Sequence, residues 1–161
     1  SDDPLGSLLR NVRRDAGGLT ATARDFMGAS NDKGGMFAAY VACRHMGLRD
    51  LFSGSEILLQ PNVDRHHILP RAQFIEKDRS RADTIANFAF ISASANRSIG
   101  AASPDVYLAK ISREVLESQC MPLDPKIWPI DHSEDFWDAR RQLLADAFNS
   151  FLRKALPGRR I

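Results

Sequence analysis

Cysteine is scarce in this chain of 161 residues, which contains only Cys43 and Cys120. The two cysteines lie far apart in the sequence, and neither belongs to a CxxC pair. A disulfide framework or a cysteine-based zinc site needs more thiols at closer spacing. We therefore expect two buried free thiols in a reducing compartment.

Long hydrophobic runs are also missing, although 43% of the residues are hydrophobic. No run reaches the roughly 20 apolar residues that a membrane-spanning helix needs, and no stretch has the pattern of a secretory signal. We therefore expect a cytoplasmic protein that has no membrane partner.

A strong net charge is absent too, because the formal charge at pH 7 is only +2. Seventeen of the 22 basic residues are nevertheless arginine, which binds phosphate through two parallel hydrogen bonds and stacks on flat groups. Five arginines fall in the centre of the chain: Arg65, Arg71, Arg79, Arg81 and Arg97. Each alone is consistent with a solvated surface, so their significance depends on the residues that they surround.

The length predicts one domain over residues 1–161, with helices before and after an irregular polar centre. The chain starts Ser1-Asp2-Asp3-Pro4 without methionine, and we expect either a domain excised from a longer protein or a remnant of a tag. Apolar residues at helical spacing predict helices at 5–15, 20–27, 36–46, 103–118 and 133–156. The centre predicts a strand at 63–70, a charged loop with a helical turn at 71–84, and a strand or turn at 85–91. The fold class is therefore α+β and mostly helical.

Capping residues and glycines set the predicted helix boundaries. The helix at 36–46 begins after Gly34-Gly35. The helix at 103–118 begins with Ser103 as N-cap and Pro104 in its first turn. Its buried candidates are Val106, Ala109, Ile111 and Val115. The last helix, capped by Ser133, carries a wide apolar stripe: Phe136, Trp137, Leu143, Leu144, Ala147, Phe148, Phe151 and Leu152.

Two adjacent histidines, His66 and His67, lie near the end of the central strand, just before Ile-Leu-Pro. Side chains alternate across a strand, so these two rings point to opposite sides and can have different roles. Two asparagines follow them. Asn87 heads an apolar run, and Asn96 lies in a turn of small residues.

These residue types suit the hydrolysis of a phosphodiester. A histidine can take a proton from water near neutral pH, and a divalent cation can stabilise charge on the leaving oxygen. Histidine and asparagine are neutral ligands, so they leave a bound cation most of its charge. Their mixture of nitrogen and oxygen keeps Mg²⁺, Mn²⁺, Ni²⁺ and Zn²⁺ open.

Three stretches in order, DRHHILP at 64–70, ANF at 86–88 and ANR at 95–97, resemble the HNH (His-Me finger) nucleases. Those enzymes hold one metal ion in a ββα finger. The resemblance implies that His66 is a metal ligand, and that His67 is the general base.

The same resemblance assigns roles to the residues that follow the histidines. Asn96 becomes the second metal ligand, for a single ion that is Mg²⁺ by preference. Asn87 fixes the finger loop and the orientation of the base, and we count it with the catalytic residues. Arg71 and Arg97 become substrate-binding residues for phosphate.

The wider sequence resembles the C-terminal nuclease domain of GmrSD-type restriction proteins and SspE-like phage-defence proteins. The stretches that carry this likeness are LFSG at 51–54, NRSI at 96–99, SPDVYL at 103–108 and FWDARR at 136–141. It implies a finger at about 60–102, embedded between flanking helices at 5–50 and 103–156. It also implies a prokaryotic cytoplasm, an N-terminal NTP-using sensor of modified DNA in the same polypeptide, and a possible homodimer. The charged insert at 71–84 departs from this pattern, and it is consistent with DNA contacts or with a variable loop.

We therefore expect a metal-dependent DNA endonuclease of restriction or anti-phage defence, which nicks or cuts both strands. Two alternatives stay open: a catalytically inactive finger that binds DNA, and an RNA-cutting toxin domain of the same finger type. Asn96 is also consistent with a helix N-cap, Arg97 with a solvated surface, and Asp64 with either an extra ligand or a surface acid. His45 and His132 lie outside the constellation, and we do not expect them to be catalytic.

Overall fold

The computed structural model describes residues 20–57, 63–92 and 102–156. Its longer elements are α1 (Lys33–His45), β1 (Val63–His67), β2 (Phe88–Ser92), α2 (Pro104–Leu108), α3 (Arg113–Ser118) and α4 (Ser133–Ala155). Short 3-10 helices lie among them at Ala23–Phe26, Arg71–Gln73, Glu76–Asp83, Ile85–Asn87, Pro125–Ile127 and Ile130–His132. The fold is α+β and mostly helical, as predicted. The predicted helix at 5–15 lies outside the described residues.

Strands β1 and β2 pair antiparallel, with His66 opposite Ala89 and His67 opposite Phe88. Because side chains alternate along β2, the strand contributes to two separate core clusters. Phe88 and Phe90 pack with residues of α1 and α4, whereas Ala89 and Ile91 pack with residues of α2 and α3. The strand pair therefore lies between two apolar layers, which explains why β2 is an unbroken apolar run.

The longest helix, α4, provides the largest single share of the core. The predicted stripe is confirmed, because Phe136, Trp137, Leu144, Phe148 and Leu152 are all buried. Burial of each such side chain stabilises the fold by about 1.5–3 kcal/mol. Leu143 lies at the edge of the stripe and is 38% exposed. Within the described part of the chain, no helix has the length and apolar character needed to cross a membrane.

The single helix predicted at 103–118 is wrong, because the chain forms α2 and α3 with a break between them. Ser112 caps the second helix by accepting a hydrogen bond from the Val115 amide. Of the four predicted buried positions, Val115 is buried and Ile111 is half-buried, whereas Val106 and Ala109 are exposed. Val106 is 51% exposed, while Tyr107 is buried.

Helix α1 begins at Lys33, three residues before the predicted start at Met36. Asp32 is its N-cap and accepts a hydrogen bond from the Gly35 amide at 3.0 Å. The glycines therefore lie inside the helix, despite their low helix propensity. Close packing explains Gly35, since a Cβ added there would lie 2.5 Å from Ile85 Cδ1.

Cys43 and Cys120 are both buried free thiols, as predicted from their number and spacing. Cys43 lies on α1, and Cys120 follows α3 in a left-handed conformation with φ of 52°. Both side chains belong to the core cluster that packs against Phe88 and Phe90.

A fully buried arginine on α4 joins this helix to the start of β2. Arg140 Nη1 donates to the carbonyls of Ala86, at 2.9 Å, and Phe88, at 2.7 Å. Its Nη2 donates to the Gln119 carbonyl at 3.0 Å. Ala86 and Phe88 flank Asn87, so Arg140 fixes the backbone on both sides of a predicted site residue.

We expect Arg140→Met to lower the free energy of unfolding by about 2–4 kcal/mol. Three buried carbonyls would lose donors that water cannot replace, although relief from burying a cation offsets part of this cost. Urea unfolding followed by circular dichroism measures the change. Arg153→Met, at an exposed position of the same helix, serves as the control and should stay within about 0.5 kcal/mol of wild type. Equal effects of the two substitutions would contradict the role given to Arg140.

Candidate functional site

The adjacent histidines at the end of β1 have separate environments, as strand alternation predicts. The His66 ring lies edge-on to Phe52, with centroids 5.5 Å apart, and to Tyr107, at 6.4 Å. The His67 ring instead contacts Phe88 on the other face, with centroids 4.5 Å apart. His66 is thus flanked by two aromatic side chains on one face of the strand and His67 by Phe88 on the other, and both residues are half-buried.

The ring of His66 is held in its neutral form. Burial, followed by electrostatic repulsion from the neighbouring His67, lowers the pKa of His66 to about 4. Its Nε2 is buried and has no hydrogen-bond partner among the described residues. A neutral ring offers a nitrogen lone pair without first losing a proton, so His66 fits the predicted role of metal ligand.

Asp50 holds the aromatic surroundings of His66 in place. One of its carboxylate oxygens accepts hydrogen bonds from the amides of Phe52 and Ser53, each at 2.9 Å. The other accepts from the amide and hydroxyl of Ser92, each at 2.7 Å. Burial raises the pKa of Asp50, but hydrogen bonds from Ser53, Ser92 and Phe52 outweigh it and lower the pKa below its usual value. An ionised Asp50 therefore ties the turn that carries Phe52 to the end of β2.

His67 forms a hydrogen bond with Asp83, which the sequence had not singled out. His67 Nε2 lies 3.0 Å from Asp83 Oδ1, and the two side chains are 31% and 28% exposed. Asp83 Oδ2 lies 3.8 Å from Arg71 Nη1. Asp83 ends the 3-10 helix Glu76–Asp83, so the charged insert contributes directly to this site. The abundance of charge at 71–84 was its only signal in the sequence.

Two arginines border His67. Arg71 is 55% exposed and reaches the far side of Asp83. Arg65 donates to the Ser30 carbonyl at 2.8 Å, and its guanidinium carbon lies 5.6 Å from the centre of the Phe88 ring. By contrast, Arg81 pairs with Asp78 and Glu134 away from the histidines. The arginines that cluster in the sequence therefore do not share one place in the fold. Among the described residues, Arg65 and Arg71 lie near His67.

The fully buried side chain of Asn87 connects three backbone groups. Its Oδ1 accepts from the Leu69 amide at 2.9 Å, and its Nδ2 donates to the carbonyls of Leu69, at 3.0 Å, and Ala82, at 2.8 Å. Its own carbonyl accepts from the Ile68 amide at 2.8 Å. Asn87 therefore positions the chain that follows His67, and we classify it as a positioning residue rather than a catalytic residue.

Asn96 and Arg97, the predicted second metal ligand and a predicted phosphate contact, lie outside the described residues. The described residues contain no group of three or more histidine, cysteine or acidic side chains that could hold a metal ion. This absence concerns imidazole, thiolate and carboxylate ligands, and it does not concern the amide oxygen of an asparagine. The structure therefore brings His66, His67, Asn87 and Arg71 into one region. It does not describe Asn96 and Arg97, the other two predicted site residues.

We expect Asn87→Ala to lower the free energy of unfolding by about 3 kcal/mol, because buried backbone groups lose their partners. Asn87→Asp should cost more, since a carboxylate oxygen would then face the carbonyls of Leu69 and Ala82. Urea unfolding and hydrogen exchange at the Leu69 amide measure both effects. Asn149→Ala serves as the control, because the Asn149 side chain makes partly exposed hydrogen bonds to the backbone of Ala21. This variant should leave the exchange rate of the Leu69 amide unchanged. An Asn87→Asp variant as stable as wild type would refute this prediction.

A second prediction concerns the protonation of His66. Its pKa of about 4 in the folded chain lies below the value of roughly 6.5 in an unfolded chain. The unfolded state therefore binds a proton at His66 more readily than the folded state. The contribution of neutral His66 to the free energy of unfolding is complete above pH ~6.5 and decreases as the pH falls toward 4.

Nuclear magnetic resonance titration of the His66 ring tests the value directly. Phe52→Ala should raise the pKa by opening the ring to water. Phe151→Ala, which alters the neighbour of His45 instead, should leave it unchanged. A wild-type midpoint near 6.5 would show that the ring is not enclosed.

Comparison with known proteins gives no independent assignment. No family model, no curated protein and no solved structure matches the chain. The likeness to HNH nucleases therefore stays a hypothesis, and the geometry around His66 and His67 is what a functional proposal must use.

Proposed function

We propose that this chain is a metal-dependent DNA endonuclease of the HNH type. The observation that carries the proposal is the contrast between two adjacent histidines. The His66 ring is flanked by two aromatic side chains, its pKa is lowered to about 4 by burial, and its buried Nε2 has no hydrogen-bond partner among the described residues. His67 is partly exposed, paired with Asp83 and bordered by arginines. A metal ligand and a general base need these two different environments.

The local architecture supports a ββα finger. The antiparallel pair β1 and β2 supplies the two strands, and Asn87 fixes the connection between them through Leu69 and Ala82. In the HNH pattern a helix follows the second strand, and residues 93–101 at that place lie outside the described residues. Tyr107 on α2 also contacts this region, since its hydroxyl donates to the Ile68 carbonyl at 2.5 Å.

His66 and Asn96 would hold the metal ion. Asn96 belongs to residues 93–101, which lie between Ser92 and Ala102 in the sequence and outside the described residues. Ser92 bonds to Asp50, which also holds Phe52 against His66, and Tyr107 lies shortly after Ser103. The described residues on both sides of this stretch thus contact the surroundings of His66. When bound, a divalent cation would supply positive charge to the scissile phosphate and the leaving oxygen.

The residues of the chain provide the remaining functions. His67 takes a proton from the attacking water as the new oxygen–phosphorus bond forms, and the opposite phosphorus–oxygen bond breaks with its electrons on the leaving oxygen. Arg65 and Arg71 face solvent near His67, where guanidinium groups bind phosphate oxygens. Phosphate contacts position a nucleic acid without reading its sequence, so we propose sequence-tolerant cutting. Specificity would then belong to a sensor domain on the same polypeptide.

We expect the chain to nick supercoiled plasmid DNA in Mg²⁺ or Mn²⁺, and His67→Ala to slow nicking by about 10²–10⁴-fold. His66→Ala should weaken the dependence of the rate on metal concentration. DNA binding in the absence of metal should persist in both variants, because arginines provide the phosphate contacts. Gel quantification of nicked and linear plasmid gives the rates, and linear product that forms without a nicked precursor would indicate a dimer.

His132→Ala is the matched control, since His132 is exposed and lies outside the site. Nicking by His67→Ala at the wild-type rate would mean that the activity belongs to a contaminant. Tight DNA binding without cutting in any of Mg²⁺, Mn²⁺, Ni²⁺ or Zn²⁺ would favour a non-catalytic finger. Exclusive loss of RNA from a mixture of RNA and DNA would favour a toxin-type ribonuclease.

A further inference from the structure

We propose that Asp83 is a positioning residue that keeps the His67 ring in the tautomer with its proton on Nε2. Nδ1 is then the nitrogen that takes the proton from water. This inference rests on the proposed function, in which His67 is the general base. It starts from the 3.0 Å contact between His67 Nε2 and Asp83 Oδ1.

The direction of this hydrogen bond follows from the chemistry of the two groups. An ionised carboxylate only accepts hydrogen bonds, so the imidazole nitrogen that faces it must donate. A neutral imidazole carries one N–H group, and its second nitrogen then holds the lone pair. Asp83 therefore selects Nδ1 as the basic atom without touching water or phosphate itself.

The backbone around Asp83 is fixed on each side, so the carboxylate has a defined position. The Asp83 carbonyl accepts from the Ser30 amide at 2.7 Å. The preceding carbonyl, of Ala82, accepts from Asn87 Nδ2 at 2.8 Å, and the following one, of Thr84, accepts from the Asn87 amide at 2.9 Å. A carboxylate on such a backbone can orient a ring more accurately than one on a loop.

Arg71 occupies the other side of the same carboxylate. Its Nη1 lies 3.8 Å from Asp83 Oδ2, which leaves Oδ1 for His67. When His67 accepts the proton from water, the resulting imidazolium lies beside an anionic group that stabilises it. The proton stays on Nδ1 while the water oxygen bonds to phosphorus and the opposite ester oxygen leaves with the bonding electrons.

Asp83→Asn and Asp83→Ala test this role in the full chain. The neutral amide can donate as well as accept, and alanine makes no bond, so both variants should populate the two tautomers. We expect kcat for plasmid nicking to fall by about 10²–10⁴-fold. The dissociation constant for DNA should stay within about twofold, because Asp83 does not bind substrate.

Asp78→Asn is the matched control. Asp78 lies on the same 3-10 helix and has a similar side-chain exposure, 31% against 28% for Asp83, but it pairs with Arg81. The control should cut at the wild-type rate and should leave the His67 ring unchanged. If the loss of any acidic side chain from this helix slowed cutting, Asp78→Asn would slow it as much as Asp83→Asn.

Nitrogen-15 correlation spectra of the His67 ring at about pH 9 read the tautomer without any cutting assay. A wild-type ring protonated on Nε2, with mixed tautomers only in the Asp83 variants, supports the proposal. A wild-type ring protonated on Nδ1 overturns it, as does an Asp83→Asn variant that cuts as fast as Asp78→Asn. If the wild-type ring is protonated on Nε2 but no nucleic acid is cut, the proposed endonuclease fails while the orientation of His67 by Asp83 stands.

Discussion

The buried amide of Asn87 is the interaction on which the rest of the site depends. An amide that leaves water must satisfy its hydrogen bonds within the protein, and this one does so with Leu69 on one side and Ala82 on the other. These two residues belong to the end of the His66-His67 segment and to the end of the charged insert. Arg140 fixes the carbonyls on each side of Asn87 from α4. The core of the domain and the geometry of the site are thus joined at one residue.

Much of the architecture could be predicted from the sequence because it follows from local periodicity. The apolar stripe of α4 and the alternation of β1 both identify faces that must be buried or exposed. The break between α2 and α3 was missed, since Val106 and Ala109 fit a continuous helix equally well. Ser112 ends that continuity by offering a cap to the Val115 amide, and a cap in the middle of a helical pattern is easily read as a helix residue.

The candidate site, too, could be predicted from the sequence only in part. The separate environments of His66 and His67 follow from strand geometry alone. The contact of His67 with Asp83 spans 16 positions in the chain, and it exists only because the tertiary fold returns the end of the insert to β1. Nor could periodicity predict that Phe52 and Tyr107 would enclose His66, because they come from separate segments that meet in the tertiary fold.

The charged insert at 71–84 is exposed in its middle and hydrogen-bonded at its end, so the effect of an insertion depends on its position. Lys77, Arg79 and Ser80 are exposed, whereas Ala82 and the residues after it are bonded to Asn87 and Ser30. Extra residues near position 79 would interrupt the exposed middle of the 3-10 helix Glu76–Asp83 but leave the hydrogen bonds that hold Ala82 and Asp83 in place. The same insertion after Ala82 would shift the carboxylate beside His67 by one position or more. A longer insert is therefore better tolerated at its exposed middle than at its last three positions, which must keep their spacing from His67.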